Sequence, residues 1–233
     1  VGAGATVIVG IIGVVMLAGT LDLSQDPPVL TIPGRQTLVE NFKIDREFAA
    51  KMLNRFNPIF GADAEGRASV AVQDLVVPLS EAGAAGALSG SGRVELAQLK
   101  VNAKGFLGEM LKLLALAPDG MYDIPATGTD FLLRQGRVEY KDFRLQINET
   151  TDLRFSGNVG LFDDRINMVV SLPGAATVLG RLGLKGRLVE SMAAQRLEIP
   201  VRGTRSAPVM DVASIIRQMT LGAFERLLNP GGE

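Results

Sequence analysis

Few side chains in this chain could do covalent chemistry. The 233 residues include no histidine and no cysteine. Ser-His-Asp and Cys-His arrangements, thiolate nucleophiles, disulfides and histidine- or cysteine-based metal sites are therefore excluded within it. Carboxylates remain. Asp163 and Asp164 are adjacent, but neighbouring strand residues point to opposite faces and Asp favours turns. The pair reads as a hairpin turn rather than as acid–base partners or metal ligands. An enzyme using carboxylates with Ser or Thr alone, on saccharides for instance, would need two carboxylates converging in a cleft. No such pair stands out. Gly2-Ala3-Gly4 begins like a dinucleotide fingerprint, yet Val7 stands where the third glycine belongs and no strand precedes it. Gly180, Gly183 and Gly186 lie near Lys185 and Arg187 without a Gly-Lys-Ser/Thr phosphate loop, so they read as flexible or closely packed backbone. Asn148-Glu149-Thr150 has the form of a glycosylation acceptor and reads as a polar turn. No cofactor and no metal are expected.

The elements that would position any site carry a clearer signal. Gly-Arg followed by apolar residues at spacings of two, three and two occurs three times. Gly66-Arg67 leads Val70, Val72, Leu75 and Val77; Gly92-Arg93 leads Val94, Leu96, Leu99 and Val101; Gly136-Arg137 leads Val138, Tyr140, Phe143 and Leu145. Alternation marks a strand with one buried face, and the skipped residue in mid-strand predicts a β-bulge. Three copies suggest a repeated sheet unit. Arg67, Arg93 and Arg137 read as solvated strand ends, the alternative being a ring that holds phosphate head groups.

Between Thr129 and Leu172 the pattern predicts an antiparallel meander. Its turns are Asn148–Asp152 and Asp163-Asp164, and Gly157 stands where a residue of the buried face should be. Shorter strands are expected at Gly19–Ser24, Leu38–Ile44 and Leu197–Val201, with a turn at Pro33-Gly34 and a loop over Ser80–Gly92 that has room for a weak strand at Ala87–Ser89. Helices are expected from Asp45 to Phe56, with stripe Phe48, Met52, Leu53 and Phe56; over the apolar Gly105–Ala117; broken by glycines within Pro173–Gln195; and amphipathic after Asp211. Residues 1–18 contain no charge and one polar side chain, Thr6. That length suits a membrane span or signal, and equally buried strands punctuated by Gly10 and Gly13.

Charge and composition restrict the partners. The formal net charge is −1, with 10 Phe, 2 Tyr and no Trp. There is no basic field and no aromatic platform, so nucleic acid is not an expected partner. The half-buried sheet has two readings that period cannot separate: an ordinary core packed on its own helices, or a curved sheet with an apolar face left partly open to an acyl chain.

The stretch Gly136-Arg137-Val138-Glu139-Tyr140-Lys141-Asp142-Phe143-Arg144-Leu145 resembles the C-terminal region of the AsmA-like family, which includes TamB-type envelope proteins. Leu153–Leu161 continues the likeness, as does Leu197-Glu198-Ile199-Pro200-Val201-Arg202-Gly203-Thr204 with Ala207-Pro208. It covers about residues 129–211. The resemblance implies a bacterial envelope protein, anchored in the inner membrane and exposed to the periplasm, with an apolar β-groove implicated in phospholipid movement and outer-membrane biogenesis. It brings no catalytic residues.

The expected fold is therefore α+β: a curved, mainly antiparallel sheet, a meander with bulged repeat strands, carrying amphipathic helices on its open side or ends. Residues 19–233 would form this β-rich domain after the segment 1–18. The expected activity is non-enzymatic. Acyl chains of phospholipid or another lipid would lie on Val138, Tyr140, Phe143, Leu145, Phe155, Val159, Leu161, Met168 and Val170. The bacterial membrane and neighbouring envelope domains are the other expected partners. A structural or interaction module with a closed core is the alternative.

Overall fold

A computed structural model describes residues 5–6, 18–51, 53–61, 64–80, 86–116, 120–181, 183, 186, 189, 195–214 and 217. The strands are β1 (Ala5–Thr6), β2 (Thr20–Asp22), β3 (Val29–Ile44), β4 (Ala64–Pro78), β5 (Ser89–Asn102), β6 (Met121–Ile124), β7 (Thr127–Arg134), β8 (Arg137–Gln146), β9 (Asp152–Gly160), β10 (Arg165–Leu172), β11 (Leu197–Thr204) and β12 (Pro208–Met210). They form one open, curved antiparallel sheet in nearly sequential order, β6 and β7 both pairing with β5. The fold is thus mostly antiparallel sheet with a few short helices, α1 (Arg46–Lys51), α2 (Gly105–Leu113) and α3 (Ala175–Arg181). Among the described residues no helix is long and apolar enough to cross a membrane.

All three skipped residues are bulges. In β4, Gln73 and Val76 pair with Ser91 and Ser89, three steps against two, and Asp74 lies at φ +51°. In β5, Ala97 and Lys100 face Arg67 and Glu65, with Gln98 at φ +51°. In β8, Tyr140 and Phe143 face Gly157 and Phe155. One extra residue keeps the apolar side chains on either side of it on the same face. Gly157 answers its expectation too. It sits at φ +119°, and a Cβ there would lie 2.3 Å from the Asn167 carbonyl oxygen and 2.7 Å from Met168 Cα.

Elsewhere the chain departs from the expected boundaries. Pro33-Gly34 does not end a strand. It forms a bulge inside β3, where Gly34 at φ +66° donates its N–H to Asp74 Oδ1 at 2.8 Å, so bulges on adjacent strands interlock. β5 begins at Ser89, inside the expected loop, because Gly92 lets the Ala71 carbonyl and the Phe131 ring approach closer than any Cβ would allow. Asp45 caps α1 through its Oδ1 and the Phe48 N–H, as expected, but the helix stops at Lys51. Two 3-10 turns follow, Leu53–Arg55 and Pro58–Gly61. The expected helix over 105–117 ends at Leu113, and that over 173–195 is described only as α3 and isolated positions. Met52, most of residues 1–18 and the amphipathic segment beyond Ser214, Arg217 apart, lie outside the described residues; Ala5-Thr6 pair with Leu21 and Thr20.

One contiguous apolar core lines the inner face of the sheet from Ile32 on β3 to Val201 on β11. Short elements cover it in a row: α1 against β4, the Pro58–Gly61 turn against α2, and α2 against α3.

Candidate apolar site on the inner face

The third repeat strand sets the centre of this face. Val138, Tyr140, Phe143 and Leu145 of β8 point inward with Phe155 and Val159 of β9 and Met168 and Val170 of β10; all eight are buried. Cross-strand register brings them together: Phe143 pairs with Phe155, Val138 with Val159, and Phe155 with Val170. Leu161 differs. It lies just past β9 in the turn, half-buried, its N–H donating to the Gly136 carbonyl oxygen. Eight of the nine candidate positions thus share one face, and the chain's own side chains cover it.

The cover over β8 comes from Leu53–Gly61. Phe60 packs tilted against Phe143 at 5.9 Å, Phe143 lies 5.8 Å from Phe155, and Phe56 meets Phe131 edge-on at 6.1 Å. The Tyr140 hydroxyl donates to the Phe56 carbonyl oxygen at 3.3 Å and lies 3.5 Å from Met168 Sδ. Burial pushes this phenol far above its usual range, so it stays a protonated donor. The cover is imperfectly satisfied. Asn57 is 1% exposed and its Oδ1 accepts the Ile59 N–H, but its Nδ2 has no partner, nor has Asn54 Oδ1. Beneath it is a cavity of about 30 Å³ lined by residues that include Leu53, Phe56, Asn57, Phe60, Thr129 and Phe131. None of these six belonged to the expected set. Leu53 and Phe56 belonged instead to the stripe of the expected helix, and Phe60, four residues past Phe56 beyond Pro58, is the further aromatic that could have pointed to the cover.

The sheet is also interrupted here. β7 pairs with β8 only where Leu132–Arg134 face Arg137–Glu139, beside the Gln135-Gly136 turn with its two positive φ angles. β7 runs without a shift along β5, whereas β8 takes its extra residue immediately after Tyr140. The β7–β8 register does not shift, five residues on each strand separating Leu132–Glu139 from Thr127–Arg144, yet the ladder pairing stops where β8 bulges against β9. Farther on, the Thr127 hydroxyl donates to the Arg144 carbonyl oxygen at 2.7 Å. A seam without ladder pairing therefore lies between Gly128–Phe131 and Tyr140–Phe143, closed at both ends. On the outer face it opens into a hollow of about 770 Å³ with Arg35, Arg93 and Lys141 against Asp130, Glu139 and Asp142.

The polar candidates are engaged structurally. Asp163 Oδ2 accepts from Arg137 Nη1 at 2.6 Å, and Asp164 Oδ1 from Arg205 Nε at 2.5 Å, which is the turn role expected of them. Arg67 donates to the Asn41 carbonyl, and Arg93 to Glu95 and Asp130, so each repeat arginine has its own partners rather than joining a ring. Asn148 Oδ1 accepts the Thr150 N–H in a polar turn. A denser cluster surrounds Asp152, within 3.0 Å of Arg144, Arg154 and Arg196. Burial alone would raise its carboxyl, but hydrogen bonds from Arg154 and Arg196 and their charge outweigh that and hold it below the usual carboxylate range. Among the described residues no acidic group is clustered so as to hold a metal.

No protein-family model, curated protein or solved structure matches this chain.

Proposed function

We propose that this chain is a non-enzymatic lipid-handling module of the bacterial cell envelope, in which an acyl chain lies along the inner apolar face at β8–β10. The observation that carries the reading is the cover at Tyr140 and Phe143. It consists of two 3-10 turns of 3 and 4 residues with two orphaned polar atoms, over an otherwise continuous apolar strip of an open sheet. An acyl chain takes its place by displacing the Phe56 and Phe60 rings. Each methylene removed from water contributes about 0.8 kcal/mol, so ten of them offset the exposure of two rings. Periplasmic exposure beside the inner membrane and a contribution to outer-membrane biogenesis belong to the same proposal and rest on the family resemblance.

A second reading is favoured by the filled core: a structural module whose exposed edges join neighbouring domains. Among the described residues, β2 pairs only with Val29–Thr31 of the 16-residue β3, and β12 is 3 residues long. Native mass spectrometry of gently purified protein separates the two. A reproducible mass excess resolving into lipid supports the first reading; a lipid-free, monodisperse mass that stays so after incubation with lipid vesicles supports the second.

A further inference from the structure

We infer that the seam between β7 and β8 is the port of this site, and that it takes a zwitterionic single-chain amphiphile with its head group in the outer hollow; this rests on the lipid reading above. The outer hollow and the inner cavity lie on opposite faces of one sheet and share two lining residues, Phe131 and Tyr140. Those residues stand at the point where the β7–β8 ladder stops. Opening the sheet elsewhere in β3–β5 or β8–β11 would break ladder hydrogen bonds; parting these two strands between Leu132–Glu139 and the Thr127–Arg144 bond breaks none of the ladder.

The chemistry on the two sides differs as an amphiphile requires. Inside, Leu53, Phe56, Phe60, Val94, Leu96 and Phe143 present apolar surface, and the unpartnered Asn57 Nδ2 is the polar atom that a buried oxygen near the head of the chain would satisfy. The cavity now holds one water or methylene, so the chain enters as the Leu53–Gly61 cover gives way. Outside, three cationic and three acidic side chains rim a floor that includes Ala71, Ser91, Gly92 and Gly157. Arg93 is already bonded to Glu95 and Asp130. A rim of balanced charge favours a head group carrying both a phosphate and an ammonium over a purely anionic one.

The test compares lysophosphatidylethanolamine with lysophosphatidylglycerol of the same chain length, competing for the full chain in native mass spectrometry, with hydrogen exchange read on both states. We expect the zwitterionic lipid to win by about threefold, the scale of a surface charge pair, and to slow exchange in both Gly128–Phe131 and Tyr140–Phe143. Deleting Asp142 removes the residue by which β8 bulges against β9 and offsets Phe143 and Arg144 by one position against β7, which distorts the seam. Binding should fall about tenfold, whereas Asp142→Asn, which removes the same rim charge and keeps the bulge, should lose no more than the roughly threefold head-group preference. Lipid that binds with equal or reversed preference, or that protects other strands and leaves both seam flanks unchanged, overturns the port while leaving the lipid reading standing. Neither lipid binding at any concentration overturns both. Should the deletion variant fail to fold, the exchange pattern of the unmodified chain decides.

Discussion

Two side chains, or in one case the lack of one, hold the meander in register. Gly157 is the only residue type that fits between β8 and β10, since any Cβ would strike Asn167 and Met168 backbone atoms while the residue sits at φ +119°. Gly157→Ala combines that clash with left-handed strain and should destabilise by about 3 kcal/mol or more in urea melts. Asp152 acts through charge. Its folded carboxyl lies below the unfolded value because Arg154 and Arg196 favour the ionised form over the cost of burial. A lowered folded pKa gives stability that is fully present above the unfolded carboxylate value, about 3.9, and is lost as pH falls through the folded one. Asp152→Asn should therefore be less stable than the parent at neutral pH, with the two thermal-unfolding curves converging below about pH 4. Curves that stay parallel down to acid pH would mean the carboxylate's charge contributes nothing.

At the scale of elements, the covering turns and the strands beneath differ in how firmly they are seated. Phe155 is fully buried between neighbouring strands of the sheet, and Phe155→Ala should cost about 3–5 kcal/mol. Phe60 is nearly as buried, yet it belongs to a turn held by few backbone bonds beside a small cavity. Phe60→Ala should cost less, about 2 kcal/mol, because the cover can settle into the space. Equal losses in paired urea titrations would make the cover an integral layer of the core and count against its displacement. The strands and their bulges were legible because period two, and its single interruption, is written directly in residues 70–77, 94–101 and 138–145. The length of β3 was not. Pro33-Gly34 has turn chemistry, and only the Asp74 side chain on the next strand makes it a bulge. The turns after Lys51 were hidden for a related reason. Phe48, Leu53 and Phe56 have helical spacing, and what bends the chain there is the curved face they must cover. The seam was equally invisible: the β7–β8 ladder stops where β8 bulges against β9, a property of the strands together.

For the whole molecule, the decisive property is that one core cluster spans the sheet from β3 to β11, whose strands are hydrogen-bonded side by side apart from the seam, with β6 and β7 sharing β5. A continuous core makes unfolding cooperative, since exposing any part of it uncovers the neighbouring strand. The seam is where that continuity is weakest, and it divides β1–β7 from β8–β12. The chain supplies a reporter there, because its two tyrosines are Tyr122 on β6 and Tyr140 at the seam, and it has no tryptophan. In a Tyr122→Phe variant, tyrosine fluorescence reports Tyr140 alone while far-ultraviolet circular dichroism reports the entire sheet. If the inner core couples the two halves, both signals should give one urea midpoint and one slope. If the seam uncouples them, Tyr140 should report a transition at lower urea than the sheet, and lysophosphatidylethanolamine should raise the Tyr140 midpoint toward the other. We expect coincidence in the free protein, because the Phe60 ring against Phe143 and the Tyr140 hydroxyl on the Phe56 carbonyl tie the two halves together across the inner face. We expect separation on Phe60→Ala, which removes the ring joining the cover to Phe143 and leaves the seam as the weakest boundary in the sheet.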